Sequence, residues 1–228
     1  MAKRYVVTSA TPGCVPNYRF LNSLKNYCKL NNAKLLLLPT NPVYKKDVLD
    51  KNLEKYGTLI TKDTSLNNNL LISTLPINPE QTDPISGLDR LSGKESSVIY
   101  ASPKQRMKSV ASPSSEYPRV LMTPGSCTNP SDRASRRSLI AAKDHVLGAV
   151  IVEVEDSRFY HFRQIQSDGN GCFIDLGKKY SGSGKPTKVK TSALVTGDWH
   201  TGYTDPVVKK ATIEMCNLFQ PDYLIMHD

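Results

Sequence analysis

Four consecutive leucines, Leu35–Leu38, run into Pro39. A stretch this short and this uniformly apolar is too brief for a helix. It suits a strand buried on both faces, as in the middle of a parallel sheet. The residues before it agree. Arg4–Ala10 (RYVVTSA) is rich in β-branched side chains and reads as a strand. Between the two runs, Tyr18, Leu21, Leu24, Tyr27, Cys28 and Leu30 recur on one face of a helix. Pro16 and Asn17 stand where that helix would begin, and Asn31-Asn32 where it would end. Strand, crossover helix and strand form the connection that two parallel strands require.

The same construction returns at the other end of the chain. Ser192–Asp198 (SALVTGD) reads as a buried strand. Thr204 or Asp205 can cap a helix that opens on Pro206, a favoured first helical residue. Val207, Val208, Ala211, Ile213, Met215, Leu218 and Phe219 supply its apolar positions, Pro221 stops it, and Asp222–Asp228 (DYLIMHD) is a second apolar strand. If the strands are parallel neighbours, about 4.8 Å apart, their C-terminal ends share one sheet edge. Open α/β sheets bind ligands at that edge.

Between the two constructions the pattern is weaker. Tyr44–Gly57 suggests a short helix, and TLITKD, NLLISTLP, SSVIYAS and RVLMTPGS suggest short strands among Pro- and Ser-rich loops. Pro103–Pro118 reads as loop. The segment from Asn129 is polar and basic, with no clear period until SLIAA. An antiparallel meander is expected next, with strands in LGAVIVEVED, SRFYHFRQIQSD and GNGCFIDLG and a hairpin-type turn at Gly169-Asn170-Gly171. Residues 179–190, rich in Gly, Ser and Lys, read as a linker. The expected organisation is an α/β chain: an α+β accessory domain over residues 1–178, the linker, and a second domain that starts at 191.

Composition closes off several classes. No apolar run approaches the ~20 residues that span a bilayer, and the N-terminus lacks the shape of a signal peptide, so a cytoplasmic protein with no membrane partner is expected. The five cysteines are odd in number and form no C-x-x-C pair, which argues for reduced thiols over disulfides or a zinc knuckle. The formal charge is +9, which favours anionic partners, DNA above all. Residues 94–144 hold nine Lys/Arg against four Asp/Glu. Within them Lys104, Arg106, Lys108, Arg133, Arg136 and Arg137 are candidate phosphate contacts, with a solvated surface as the alternative.

Asp198 ends the first C-terminal strand, His200 follows two residues later, and Asp228 ends the second strand. Carboxylate oxygen with imidazole nitrogen suits Mn, Fe or Zn. A D-x-H triplet alone is common by chance, and Asp198 could as well serve loop N–H groups. Other combinations are weaker still. SGSGKPTK lacks the spacing of a phosphate-binding loop and has no helix after it. Asp144-His145 with Ser126 or Cys127 lacks a nucleophile elbow. His145 and His161 read as hydrogen-bonded structural histidines, and Trp199 as a packing residue.

Gly197-Asp198-Trp199-His200 after an apolar strand, then a helix, then an apolar strand ending in Asp228, resembles the start of the calcineurin-like metallophosphoesterases. Their pattern is G-D-x-H, then G-D-x-x-D, then G-N-H-D/E, then two later His motifs. The resemblance implies that Asp198 and His200 bind one metal and that Asp228 bridges two. His227 departs from it, standing where the family usually has Gly. The order of YVVTSATPGCVPNYRFLNSLKNYCKLNNAKLLLLPTNP, DPISGLDRLSG, TPGSCTNP, DHVLGAVIVEV and FRQIQSDGNGCFIDL resembles the N-terminal region of phage proteins with a C-terminal domain of that family. The pre-early host-DNA-degrading proteins of T-five-like phages are one such group. The resemblance implies a divalent metal cofactor (Mn²⁺ first, with Mg²⁺, Fe²⁺ and Zn²⁺ as alternatives), two ions per complete site, and a DNA nuclease of the host cytoplasm. It also implies that the 228 residues are an N-terminal portion, inactive alone, because the remaining ligands would follow Asp228. The competing reading is a non-catalytic module that binds DNA or a host protein, or self-associates, during assembly or host takeover.

Overall fold

The computed structural model describes residues 3–90, 96–111, 118–200 and 202–227. The chain forms two compact units: Met1–Phe173 with Ser181–Lys185, and Ile174–Tyr180 with Pro186–Asp228. In the first, the chain order is β1 (Lys3–Ala10), α1 (Tyr18–Asn31), β2 (Ala33–Pro39), β3 (Thr58–Leu59), β4 (Thr64–Asn67) and β5 (Leu70–Ser73). There follow β6 (Ser97–Tyr100), β7 (Gln105–Val110), β8 (Arg119–Pro124), α2 (Arg136–Lys143), β9 (Gly148–Val154) and β10 (Tyr160–Gln166). β11 (Phe173–Asp175) straddles the division, and β12 (Lys178–Tyr180), β13 (Thr187–Lys188), β14 (Ala193–Asp198), α3 (Pro206–Phe219) and β15 (Tyr223–His227) complete the chain. The class is α/β, as the sequence indicated.

The leucine run lies where expected. β2 pairs in parallel with β1, Val6 opposite Leu35 through Ser9 opposite Leu38. α1 crosses between them. Its N-cap Asn17 accepts the Phe20 N–H at 3.0 Å, and Asn32 ends it in the left-handed region at φ 50°. One sheet has the order β10-β9-β1-β2-β3 and a second the order β4-β5-β6-β8-β7. Val7, Leu36, Leu38, Ile72, Ile99, Met122 and Val150 belong to one buried cluster, so the two sheets share a core. Leu35 and Leu37, with the opposite pleat, belong to the α1 face, where Phe20, Leu21, Leu24 and Tyr27 are buried. On the far side of the second sheet, Ile77 and Ile85 from the following loop cover Val98, Tyr100 and Leu121.

Several expectations need correction. Pro103–Pro118 is not all loop: β7 runs antiparallel to β8 from Gln105 opposite Pro124 to Val110 opposite Arg119. An edge strand with a solvated face carries charges, which hid its period. The helix expected over Tyr44–Gly57 shrinks to a 3₁₀ turn, Lys51–Lys55, capped by Asp50. The polar run after Asn129 contains α2, capped by Ser135. The meander is a two-stranded hairpin of β9 and β10, with β9 also antiparallel to β1. β11 instead joins β12 and β13 in a separate sheet. The turn before it is as read: Asp168 Oδ1 accepts from the N–H of Asn170 and of Cys172 at 2.9 Å each, and Gly171 adopts φ +83°. A Cβ at Gly171 would stand 2.5 Å from Arg19 Cβ. At the expected linker, Lys178 pairs with Lys188 and Lys179 with Thr187. The Asn26 amide donates to the Ser181 and Gly184 carbonyls at 2.9 and 3.0 Å.

Candidate metal centre and basic surface

β14 and β15 are parallel neighbours, with Ala193 opposite Tyr223, Val195 opposite Ile225 and Asp198 opposite His227. The register shifts between Val195 and Asp198. The crossover α3 is well specified locally. Asp205 Oδ1 accepts the Val207 and Val208 N–H groups at 2.7 and 3.3 Å, and Pro206 opens the helix. Gln220 closes it in the left-handed region, its N–H reaching the Cys216 carbonyl at 2.8 Å. Between β14 and α3, the His200 carbonyl accepts the Tyr203 and Thr204 N–H groups at 3.0 Å each and the Thr204 hydroxyl at 2.8 Å. A tight turn therefore begins at His200, whose side chain is exposed.

The backbone thus brings Asp198 and His200 to the C-terminal edge of a parallel pair, beside His227. Asp228, the third expected ligand, lies outside the described residues. No group of three His, Cys, Asp or Glu able to hold a metal occurs among the described residues. One carboxylate residue and one imidazole residue at a parallel edge fit a divalent cation of the Mn, Fe or Zn kind in donor chemistry.

The six basic candidates divide sharply. Lys104, expected as a phosphate contact, is fully buried; its Nζ lies 3.3 Å from Asp144 Oδ2 and 3.4 Å from the Thr82 carbonyl. Arg106 stands 3.7 Å from the same Asp144 oxygen, and Lys108 3.1 Å from Asp89. Arg133 donates to Asp47 at 2.7 Å and lies 4.4 Å above the Tyr44 ring. The Arg133 hydrogen bond holds the Asp47 carboxyl below the usual carboxylate range. Arg136 and Arg137 are exposed in the first turn of α2 and have no acidic partner among the described residues. Lys104 therefore cannot touch a phosphate in this fold, and of the six candidates Arg136 and Arg137 are the exposed ones without an acidic partner among the described residues.

The triad weighed from the sequence does not assemble. Ser126 Oγ donates to the Ser9 carbonyl at 3.1 Å, and burial pushes the Cys127 thiol up to about 12. Asp144 faces Lys104. His145 fits the structural histidine expected: burial draws its pKa down to about 4 and its ring hydrogen-bonds backbone at Thr128, while its Nε2 has no hydrogen-bond partner among the described residues. Sequence reading missed the crevice that His145 lines, because its walls come from five separate loops.

No protein-family model matches the chain. It is 26% identical over 250 residues to Protein A1 of Escherichia phage T5, an alignment that covers 99% of this chain and 44% of that protein. The chain therefore spans less than half the length of that relative. The crystal structure of Chaetomium thermophilum Vps29 aligns with 75% of this chain and 94% of its own, at 13% identity and a TM-score of 0.37, too loose a superposition to bear on the argument. The chain is thus similar to a phage protein along nearly all its length. No helix among the described residues is long and apolar enough to cross a membrane.

Proposed function

We propose that this chain is the N-terminal part of a phage metal-dependent phosphodiesterase that cleaves DNA early in infection, in the host cytoplasm. The observation that carries the reading is the parallel β14–α3–β15 unit with Asp198 at its C-terminal edge, His200 in the turn beyond, and His227, the neighbour of Asp228, in register with Asp198. Asp198 and His200 would hold one divalent cation, with Asp228 shared with a second; Mn²⁺ is the first choice, ahead of Mg²⁺, Fe²⁺ and Zn²⁺. A pair of such ions supplies Lewis-acid stabilisation and an activated water for phosphodiester hydrolysis. The hydrogen bonds that the His200 carbonyl accepts from Tyr203 and Thr204 support this reading. Arg136 and Arg137 would contact the DNA backbone without regard to sequence.

Calorimetric titration of MnCl₂ tests the site directly. The 228-residue chain should bind Mn²⁺ weakly, and Asp198→Ala and His200→Ala should each abolish the heat. Binding of unchanged strength in Asp198→Ala would remove that residue from the site. The first unit has a core independent of Asp198, so its thermal transition should persist in EDTA. Should Mn²⁺ binding fail while salt-sensitive DNA binding survives, the non-catalytic module is the better reading.

A further inference from the structure

Residues 19–62 hold nine Lys/Arg against three Asp/Glu, and the fold gathers part of that excess on one face of the first unit. α1 buries Phe20, Leu21, Leu24 and Tyr27 and leaves Lys25 and Lys29, one turn apart, exposed. The segment that ends in the 3₁₀ turn lies against the helix. The Tyr18 hydroxyl donates to Asp50 at 3.2 Å, and the Tyr18 and Tyr56 rings stand 6.1 Å apart. Lys25 Nζ donates to the Lys55 carbonyl at 3.1 Å and lies 5.3 Å from the centre of the Tyr56 ring. These contacts bring Lys51 and Lys55, both exposed, to the same side of α1 as Lys25.

What holds these lysines sets them apart. Lys104, Arg106, Lys108 and Arg133 each face a carboxylate. Lys25 is held by a carbonyl and an aromatic ring, and Lys55 Nζ donates to Asn52 Oδ1 at 2.7 Å. A neutral partner fixes an ammonium without cancelling its charge. Each of these two ammoniums keeps two of its three N–H donors for an anion. Part of the side-chain ordering that a bound phosphate demands is already made. Two of the three acids in the segment are engaged. Asp47 takes Arg133, and Asp50 accepts the Asn52 N–H at 2.8 Å besides the Tyr18 hydroxyl.

The chemistry of the face favours a phosphodiester backbone over a lipid surface. Peripheral membrane helices insert an apolar face, and that of α1 is spent on the core. A nucleic-acid backbone asks for closely spaced cations. The segment also reaches α2, because Tyr44 and Asp47 hold Arg133, two residues before the Ser135 cap and just ahead of Arg136 and Arg137.

We infer that Lys25, Lys29, Lys51 and Lys55 form a docking face for the phosphate backbone of duplex DNA, without regard to sequence. The inference takes from the proposed function only the choice of DNA as partner. It involves neither Asp198 nor His200 and needs no metal.

Fluorescence anisotropy of a short labelled duplex, titrated in EDTA with the 228-residue chain over a series of salt concentrations, tests it. Lys25→Gln, Lys29→Gln, Lys51→Gln and Lys55→Gln together should weaken binding about tenfold or more at low salt and flatten the log–log salt slope by about 3.6, four phosphates at about 0.9 each. Lys3→Gln, Lys188→Gln, Lys209→Gln and Lys210→Gln together remove the same charge at other exposed positions and should keep the slope within about 1 of wild type. All four lysines of the face are exposed, so the fold should survive; if its thermal transition is lost, Lys29→Gln with Lys51→Gln decides, at a slope change of about 1.8. No DNA binding at low salt, a wild-type slope in the folded variant, or an equal loss in the control would overturn the inference. So would sedimentation with phosphatidylglycerol vesicles in place of DNA binding. Failure of the Mn²⁺ titration leaves these outcomes unchanged, so the two readings fail separately.

Discussion

β1–α1–β2 and β14–α3–β15 are the same construction built twice: an apolar strand, a 14-residue crossover helix and a parallel apolar strand. Their surroundings differ completely. In the first, Val6, Val7 and Leu37 are wholly buried, and α1 buries Phe20, Leu21, Leu24 and Tyr27. In the second, Val195, Leu224 and Ile225 are 59%, 44% and 47% exposed, and Thr212 is the one buried residue of α3 among those described. The βαβ pattern is local chemistry, written by caps, apolar periods and β-branched residues. Burial of a parallel pair on both faces is not local. The first copy obtains it from β9, from α1 and from a second sheet delivered by residues 64–124. The difference teaches that the second copy has its geometry specified without a core of comparable depth.

The largest test of this contrast is truncation in each copy. Phe20→Ala removes a fully buried ring that meets Phe173 edge-on, with centroids 6.2 Å apart, and should cost about 3–5 kcal/mol in urea unfolding. Val207→Ala, at a 75% exposed position of α3, should stay within about 0.5 kcal/mol. A large loss at Val207 would show that α3 is packed in solution and would end the contrast.

Acid should reach the first unit through His145. Its folded pKa of about 4 lies below the ordinary 6.5, so between these values the unfolded chain binds a proton that the native chain refuses. Stability from this group is complete above about pH 6.5 and falls with pH down to about 4, by a total on the order of 3 kcal/mol. Carboxylates held low by hydrogen bonds, such as Asp63 with the Thr74 N–H, also lose stability in acid. The difference between wild type and His145→Phe across that window isolates the histidine. Equal pH slopes for the two proteins would mean that the ring is solvated.

A smaller effect separates buried from presented charge. Lys104→Met keeps the volume and leaves Asp144, 39% exposed in its side chain, to water and Arg106. Stability should change by about 1 kcal/mol or less, and DNA affinity should not change. Loss of DNA binding in a folded Lys104→Met protein would return that ammonium to the surface.

Smallest in energy is the double change Arg136→Glu and Arg137→Glu. Two cations in the first turn of α2 oppose the helix dipole, so acids there should raise stability by a few tenths to about 1 kcal/mol. The same change should flatten the log–log dependence of DNA affinity on salt by about 1.8, the loss of two phosphate contacts. An unchanged slope would assign the basic segment to solvent alone.

Legibility in the sequence followed the range of the interactions. Asn17 and Asn32 at the ends of α1, Asp205-Pro206 at the start of α3 and the Asp168–Gly171 turn were readable because each acts within a few residues. β7 was not readable, since its charged solvent face masks the strand period, and the burial of Lys104 was not, since Asp144 lies 40 residues away. At the candidate metal edge, the order Gly197-Asp198-Trp199-His200 was visible as a motif. That Asp198 stands opposite His227 became visible only with the register.

By itself the sequence determined two parallel βαβ units, their caps, and the positions of Asp198 and His200 at a strand end, because these depend on backbone propensity and on periods of two and 3.6 residues. Only the tertiary structure decided that β9 lies beside β1, that five distant loops meet around Thr11 and His145, and which arginines face solvent. Those outcomes depend on which apolar faces cover one another across a hundred residues or more, and a hydrophobic contact carries no record in the local chain of the partner it will find.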